Sequence, residues 1–397
     1  MRSFIAGLVG LALILWLCAA NVGQVSAASG DLLYTYPNPE PHSNDNFGGK
    51  VAGVGSNALI GASGSNQAAT DAGAAYLLNR SGTLLHSWYG ATAGDAFGSS
   101  VAARGNDVLV GAPDANGTAG AAYLYDGSTY VSKFPIVNPT PNPNDLFGNC
   151  VAAMGNNILV GAMRDNPGGA ENCGAVYLYD GTSGALLHTF QPPVIHARQD
   201  FGYSVTAVGS NKVLIGAQCD NTLGFDRGAA YLYTFNGSSW NDTTPLKIFE
   251  PTPPIRTFGY FGRSVAELGN DLLISSYSHT YLFDGTTGAL EHTFSPNGEV
   301  TTVDGNVLIN PTGDIGASGP QLYSGIAPYE LLWSGSGSRD EGGALGSDIL
   351  VGSPDYAGGI GIAHLYEGVP EPSTLVLLGM GAISLLAYAW RRRRQTA

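Results

Sequence analysis

Carboxylates recur at fixed places along this 397-residue chain. Asp45, Asp95 and Asp145 each stand two residues before a Phe-Gly pair, and Asp200 stands one before another. Asp114, Asp165, Asp220 and Asp355 each follow a short apolar run. Two kinds of chemistry fit acids so spaced. Asp caps turns by accepting nearby backbone N–H groups. A ring of acids on one face can also form a rim that collects cations or a basic partner, and all eight residues are candidates for such a binding face.

Catalysis has thinner support. The histidines are His42, His86, His188, His196, His279, His292 and His364, and three of them (His86, His188 and His292) share one slot of a repeated stretch. That slot reads as a tolerated, half-exposed position. No HExxH, GxSxG, Walker loop or zinc-spaced Cys/His set occurs, so no catalytic residue and no metal ligand is assigned. Beyond the N-terminal apolar stretch three cysteines remain, Cys150, Cys173 and Cys219. In an exported chain one disulfide is expected, Cys150–Cys173 or Cys173–Cys219, with one thiol left over.

The elements that position these groups follow from composition and repetition. The chain has 57 Gly, 44% apolar residues and only 12% charged residues, against about 25% charged in an ordinary soluble domain. Scarce Lys, Arg, Glu and Met with abundant Gly, Tyr, Val, Thr and Asn disfavour long helices and favour short strands with tight turns. The motif Phe-Gly-x-x-Val-(Ala/Thr)-x-x-Gly-(Asn/Ser) starts at Phe47, Phe97, Phe147, Phe201 and Phe261, with degenerate copies at Gly305 and Gly346. Successive spacings of 50, 50, 54, 60, 36 and 41 residues suit four strands per unit.

One unit spells out those strands. A small-residue first strand begins at Ser100, and Gly105-Asn106 makes a hairpin turn. Residues 107–112 form an apolar second strand, and Tyr-Leu-Tyr at 123–125 lies in the third. The fourth is clearest one unit later, at 185–190. Seven such units predict an all-β, seven-bladed propeller of four-stranded blades over residues 29–368. The last unit stops after its third strand at Tyr366, while Leu32-Leu33-Tyr34-Thr35-Tyr36 matches the fourth strand Leu186-Leu187-His188-Thr189-Phe190. The N-terminal strand is therefore expected to complete the last blade and remove its open edge. The entrances of the first strands carry Gly49-Lys50, Ser99-Ser100, Asn149-Cys150, Tyr203-Ser204 and Arg263-Ser264 around the axis. These groups can hydrogen-bond sugars or peptides but offer no nucleophile with its base.

The two ends read as addresses. Residues 1–28 have a charged start, an apolar run and Val25-Ser26-Ala27 as an A-x-A-like cleavage site, the pattern of a signal peptide. Residues 369–397 hold Pro370-Glu371-Pro372, an uncharged apolar stretch over 375–390, then Arg391, Arg392, Arg393 and Arg394. Such a stretch can just span a bilayer, with the arginines on the cytoplasmic side. Over residues 28–372, five of the 17 basic residues are gone, leaving 12 against 31 acidic ones and a balance of −19. That surface makes a poor nucleic-acid binder.

The tail resembles the PEP-CTERM sorting signal in all three of its parts. The resemblance implies recognition by an exosortase of a Gram-negative, polysaccharide-secreting bacterium, cleavage near Pro370-Glu371-Pro372, and delivery to the cell surface or extracellular matrix after transient membrane anchoring. The repeats, from Phe97-Gly98-Ser99-Ser100-Val101-Ala102 through Leu109-Val110-Gly111-Ala112-Pro113 to Gly120-Ala121-Ala122-Tyr123-Leu124-Tyr125, resemble the FG-GAP repeat of integrin α-subunit propellers. That family often binds Ca²⁺ in the turn between strands one and two. Here the turn is only Gly-Asn or Gly-Ser with at most one carboxylate nearby, such as Asp107 or Asp271, so no Ca²⁺ and no other cofactor is expected there. The reading that results is a monomeric, non-enzymatic adhesion-type module that binds extracellular polysaccharide or a surface protein. The alternatives are a carbohydrate-active hydrolase or lyase using the axial cleft, and a lectin with repeated sugar pockets.

Overall fold

A computed structural model describes residues 30–222, 224–241, 245–250, 259–311, 319–325, 329–334 and 341–368. The expected signal peptide and sorting tail lie outside the described residues. Among those described, no helix is long and apolar enough to cross a membrane.

The described chain forms seven four-stranded antiparallel sheets. Blades one to six take residues 47–89, 100–136, 147–190, 201–249, 265–294 and 298–334 in order. Blade seven joins residues 341–366 to the N-terminal strand Leu32–Pro37, which pairs with Ile362–Tyr366 from Leu32↔Tyr366 to Pro37↔Ile362. Strand direction alternates within a blade. First strands therefore start on one face, shared with the loops after second strands, and the strand one–two turns lie on the other. Both Gly30 and Gly368 sit on this second face: Gly30 N–H donates to Glu367 O at 2.9 Å, and Gly368 packs on the Ser347 carbonyl of the blade-seven turn.

Second strands such as Asp107–Ala112 are buried along their whole length, because neighbouring blades cover both faces. The core accordingly lies between blades. Tyr36, Leu345, Leu350 and Leu365 of blade seven cluster with Phe47, Ile60 and Tyr76 of blade one. The five motif phenylalanines are at most 1% exposed. First strands run longer than the sequence suggests in blades one, three and four, where they begin at the Phe itself, as in Phe47–Val54. A register shift between Phe47 and Lys50 absorbs Gly48, whose φ of +89° puts the chain where L side chains are strained.

The motif glycines explain how blades meet. A Cβ on Gly111 of blade two would lie 2.1 Å from the Gly148 carbonyl oxygen of blade three. The same collision recurs for Gly61 with Gly98, Gly161 with Gly202, Gly216 with Gly262, and Gly352 with Gly48. The glycine of the second strand and the glycine after the Phe are thus two halves of one blade-to-blade contact. Further out, each fourth strand packs a side chain onto the strand three–four turn of the next blade. Tyr34, Phe134, Lys247 and Trp333 cover glycines (Gly82, Gly184, Gly288 and Gly30), whereas His86, His188 and His292 meet aromatics (Tyr130, Trp240 and Tyr329).

Deleting residues 31–36 from the full chain removes fully buried Tyr36 and opens an edge on blade seven. Loss of such an aromatic costs about 3–5 kcal/mol by itself, so with the rest of the strand also gone the melting temperature should fall by more than about 5 °C. A deletion variant melting within a few degrees of the parent would show that this strand does not close the ring.

Candidate functional site

The acids of the loop-rich face are mostly turned inward. Asp45 and Asp145 are fully buried. Asp45 accepts from Asn38 Nδ2 at 2.8 Å and His42 N–H at 2.6 Å, and Asp145 from Asn138 Nδ2 at 3.0 Å and Asn142 N–H at 2.7 Å. Asp95 accepts from the Thr92 backbone at 2.8 Å and from its hydroxyl. In blade four this slot belongs to Gln199, which accepts from His196 N–H at 2.7 Å and donates to Asp220 at 2.8 Å. Asp200 instead occupies the next position, with φ +53°, matching Asn46, Ala96 and Leu146.

The second group also divides. Asp165 and Asp220, 3% and 1% exposed, accept the hydroxyls of Tyr177 and Tyr231. Asp114 and Asp355 lie one residue earlier in their loops and are exposed. Ala115 holds the blade-two place of Asp165, as the pairings Ala112↔Ala121 and Ala162↔Ala175 require. Five of the eight acids, Asp45, Asp95, Asp145, Asp165 and Asp220, are therefore buried turn and loop acceptors. Of the eight, Asp114, Asp200 and Asp355 remain for a binding rim on this face.

Beside Tyr123 of blade two, a cavity of about 380 Å³ is lined by Ala119, Ala121, Pro135, Ile136 and Pro141. Its counterpart beside Tyr231 in blade four measures about 60 Å³. These pockets do not repeat as equal sites.

The expected disulfides are absent, because all three cysteines are free. Cys150 Sγ donates to Gly202 O at 3.1 Å, and Cys173 Sγ to Gln199 Oε1 at 3.4 Å, so both thiols are engaged at the junction of blades three and four. Burial pushes the Cys150 and Cys173 thiols up to about 12 and raises Cys219 as well. None is a ready thiolate.

The first-strand entrances surround an axial cavity of about 380 Å³ opening on the loop-rich face. Most of the hydroxyls placed there by sequence are spent between blades: Ser100 Oγ donates to Gly148 O and Ser204 Oγ to Gly262 O, each at 2.8 Å, while Ser264 Oγ accepts Val300 N–H at 3.0 Å. Asn149 is likewise used, on Gly202 O and Tyr203 O. What the cavity presents is Lys50, Arg263, Tyr203 and Glu299. Lys50 Nζ of blade one reaches Glu299 of blade six at 2.5 and 2.6 Å. One residue further along the strands, Val51, Val101, Val151, Val205, Val265 and Val300 form an apolar floor. Glu299 was not foreseen, since its repeat lacks the Phe-Gly landmark. The register Glu299↔Asn310 gives it the same place as Lys50↔Gly61.

On the opposite face Asp271, Asp284 and Glu291 converge within 4.8 Å, although Asp271 reads as isolated in sequence. The matching trio in blade two is Asp107, Asp126 and Lys133, with Lys133 Nζ 2.8 and 3.3 Å from the two acids. Blade five has a third acid where blade two has that ammonium.

Alternating Gly-Gly contacts, Phe anchors and four-stranded blades coincide with a family assignment. The FG-GAP repeat family matches residues 39–78, 89–125 and 137–179, and the PEP-CTERM protein-sorting motif matches 368–394. The chain carries FG-GAP repeats in a seven-bladed propeller and a PEP-CTERM sorting motif at its C-terminus. The tail implies export, exosortase processing and surface association. No curated protein matches this FG-GAP propeller. A solved chain titled "Crystal Structure of Mitotic Checkpoint Complex" is similar at 11% identity and a TM-score of 0.59, over 87% of this chain and 94% of that one, which is a likeness of fold alone.

The shared histidine slot proves to be an interlock. His86 stacks on Tyr130 with centroids 4.6 Å apart, and His292 lies 4.7 Å from Tyr329. Burial lowers the pKa of His86, His292 and, in blade seven, His364. The unfolded chain then binds those protons more readily, so the stability these residues provide is complete above about pH 6.5 and is lost as pH falls below it, down to the lower folded-state values. Melting temperature should drop between pH 7 and pH 5. The double variant His86→Gln/His292→Gln should show a shallower drop, and an unchanged slope would show that these rings do not titrate with folding.

Proposed function

We propose that this FG-GAP propeller is an exported, non-enzymatic interaction module of the cell surface or extracellular matrix. Its ligand is an extracellular polysaccharide or a surface protein, and an exosortase releases it from its transient anchor. The observation that carries this reading is polarity of the disc. Gly30 and Gly368, where both address segments join, lie on one face, and the axial cavity opens on the other. A chain tethered by its tail through Pro370-Glu371-Pro372 therefore presents the cavity away from the membrane.

The chemistry of the cavity supports binding over turnover. Lys50, Glu299, Arg263 and Tyr203 are recognition groups, and the only cysteine lining it, Cys150, is held protonated by burial. No nucleophile–base pair lines the cavity among the described residues.

The test incubates the full-length chain, in detergent, with polymer secreted by an exosortase-bearing, polysaccharide-secreting bacterium. Retention on the polymer without new reducing or unsaturated ends is the expected outcome. Accumulation of such ends, lost with Tyr203→Phe, would make the propeller a hydrolase or lyase. Failure to retain any polymer or surface protein would remove the reading altogether.

A further inference from the structure

We infer that the axial cavity binds a single carboxylate carried by a sugar, with the Arg263 guanidinium as its hydrogen-bond donor. The inference deepens the proposed binding role and rests on it for the biological source of the ligand. Two cations line the cavity, and they are not equivalent. Lys50 is held by Glu299 at 2.5 Å. Arg263, half-buried in the same wall, has no carboxylate within ion-pairing distance among the described residues. A desolvated guanidinium facing a cavity gains most from a planar, bidentate anion, and a carboxylate matches that fork.

Three further features narrow the class. Tyr203 stands beside Arg263, near enough that the guanidinium's charge is felt at the phenol, and its hydroxyl can serve a ring oxygen or hydroxyl. The valine floor, interrupted only by Gly342, offers an apolar surface to the C–H face of a pyranose. At about 380 Å³ the cavity lies at the small end of the usual range for ligand sites, so it suits one ring rather than a run of chain. The −19 balance of the body works against a polyanion laid across the face. A lone acidic sugar, terminal or sparse on a largely neutral glycan, escapes most of that repulsion.

The experiment titrates the full-length chain calorimetrically with D-glucuronate, D-glucose and N-acetyl-glutamate amide. Glucuronate should bind and glucose should not. Arg263→Gln should weaken glucuronate at least tenfold with an unchanged melting temperature, and Arg263→Lys, which keeps the charge and loses the fork, should recover part of the loss. Equal affinity for glucose, no measurable glucuronate binding, or insensitivity to Arg263→Gln would each overturn the assignment. Preferential binding of the glutamyl probe would also overturn it, in favour of an acidic peptide. Polymer retention that persists in Arg263→Gln while glucuronate fails would refute this site and leave the proposed binding role standing.

Discussion

Two backbones touching without side chains between them hold this ring together. At five blade junctions a second-strand glycine meets the carbonyl of the glycine that follows the motif Phe. Any Cβ there would overlap that oxygen, so the blades could no longer close to this distance. Close approach in turn permits the Phe N–H to donate to the preceding blade, as Phe97 does to Ala72 O at 3.0 Å and Phe201 to Cys173 O at 2.9 Å. It also brings the buried second strands together as shared inter-blade cores. At the junction of blades six and seven the arrangement is inverted. Asn310 stands in the glycine place and its amide fills the space that Gly342 leaves.

That constraint decides where function can sit. Groups near the junctions are consumed in building them: the Ser100 and Ser204 hydroxyls, the Cys150 thiol, and the Asp165 and Asp220 carboxylates all serve neighbours. Side chains escape this duty only where repeats diverge. Lys50 and Glu299 replace the small residue of the axial tier, Arg263 replaces Gly49 or Ser99, and Ala115 vacates an acid site. Chemistry in a repeat protein of this kind appears as departures from the repeat.

The fold was nearly all legible in the sequence, because Phe-Gly with Gly-Ala (Gly-Ser at Gly352) marks every strong junction and the N-terminal strand aligns with its peers. The site was less so. Asp114 and Asp165 look alike beside their apolar runs, yet a one-residue offset buries one and exposes the other. Asp200 looked like the blade-four acid when Gln199 fills that slot. Spacing counts residues, whereas burial depends on which residue the loop turns inward after the last ladder pair. His86 and its counterparts read as a tolerated position because their partners, Tyr130 and Trp240, lie about one repeat away. The Glu299–Lys50 pair was invisible for the same reason: it joins blade six to blade one.

The central claim is that the Gly-Gly junction sets blade spacing, and a mutant cycle across one junction tests it most directly. Urea midpoints of the full chain would be measured for Gly61→Ala, Gly98→Ala, their double variant, and Gly105→Ala as the control. Gly105 shares the positive φ of Gly98 but has nothing within 4 Å of a Cβ, so it should lose only about 1 kcal/mol. Each junction variant should lose about 3 kcal/mol or more, and the double should lose clearly less than their sum, since the junction opens once. Junction variants no worse than Gly105→Ala, or strictly additive losses, would contradict the account.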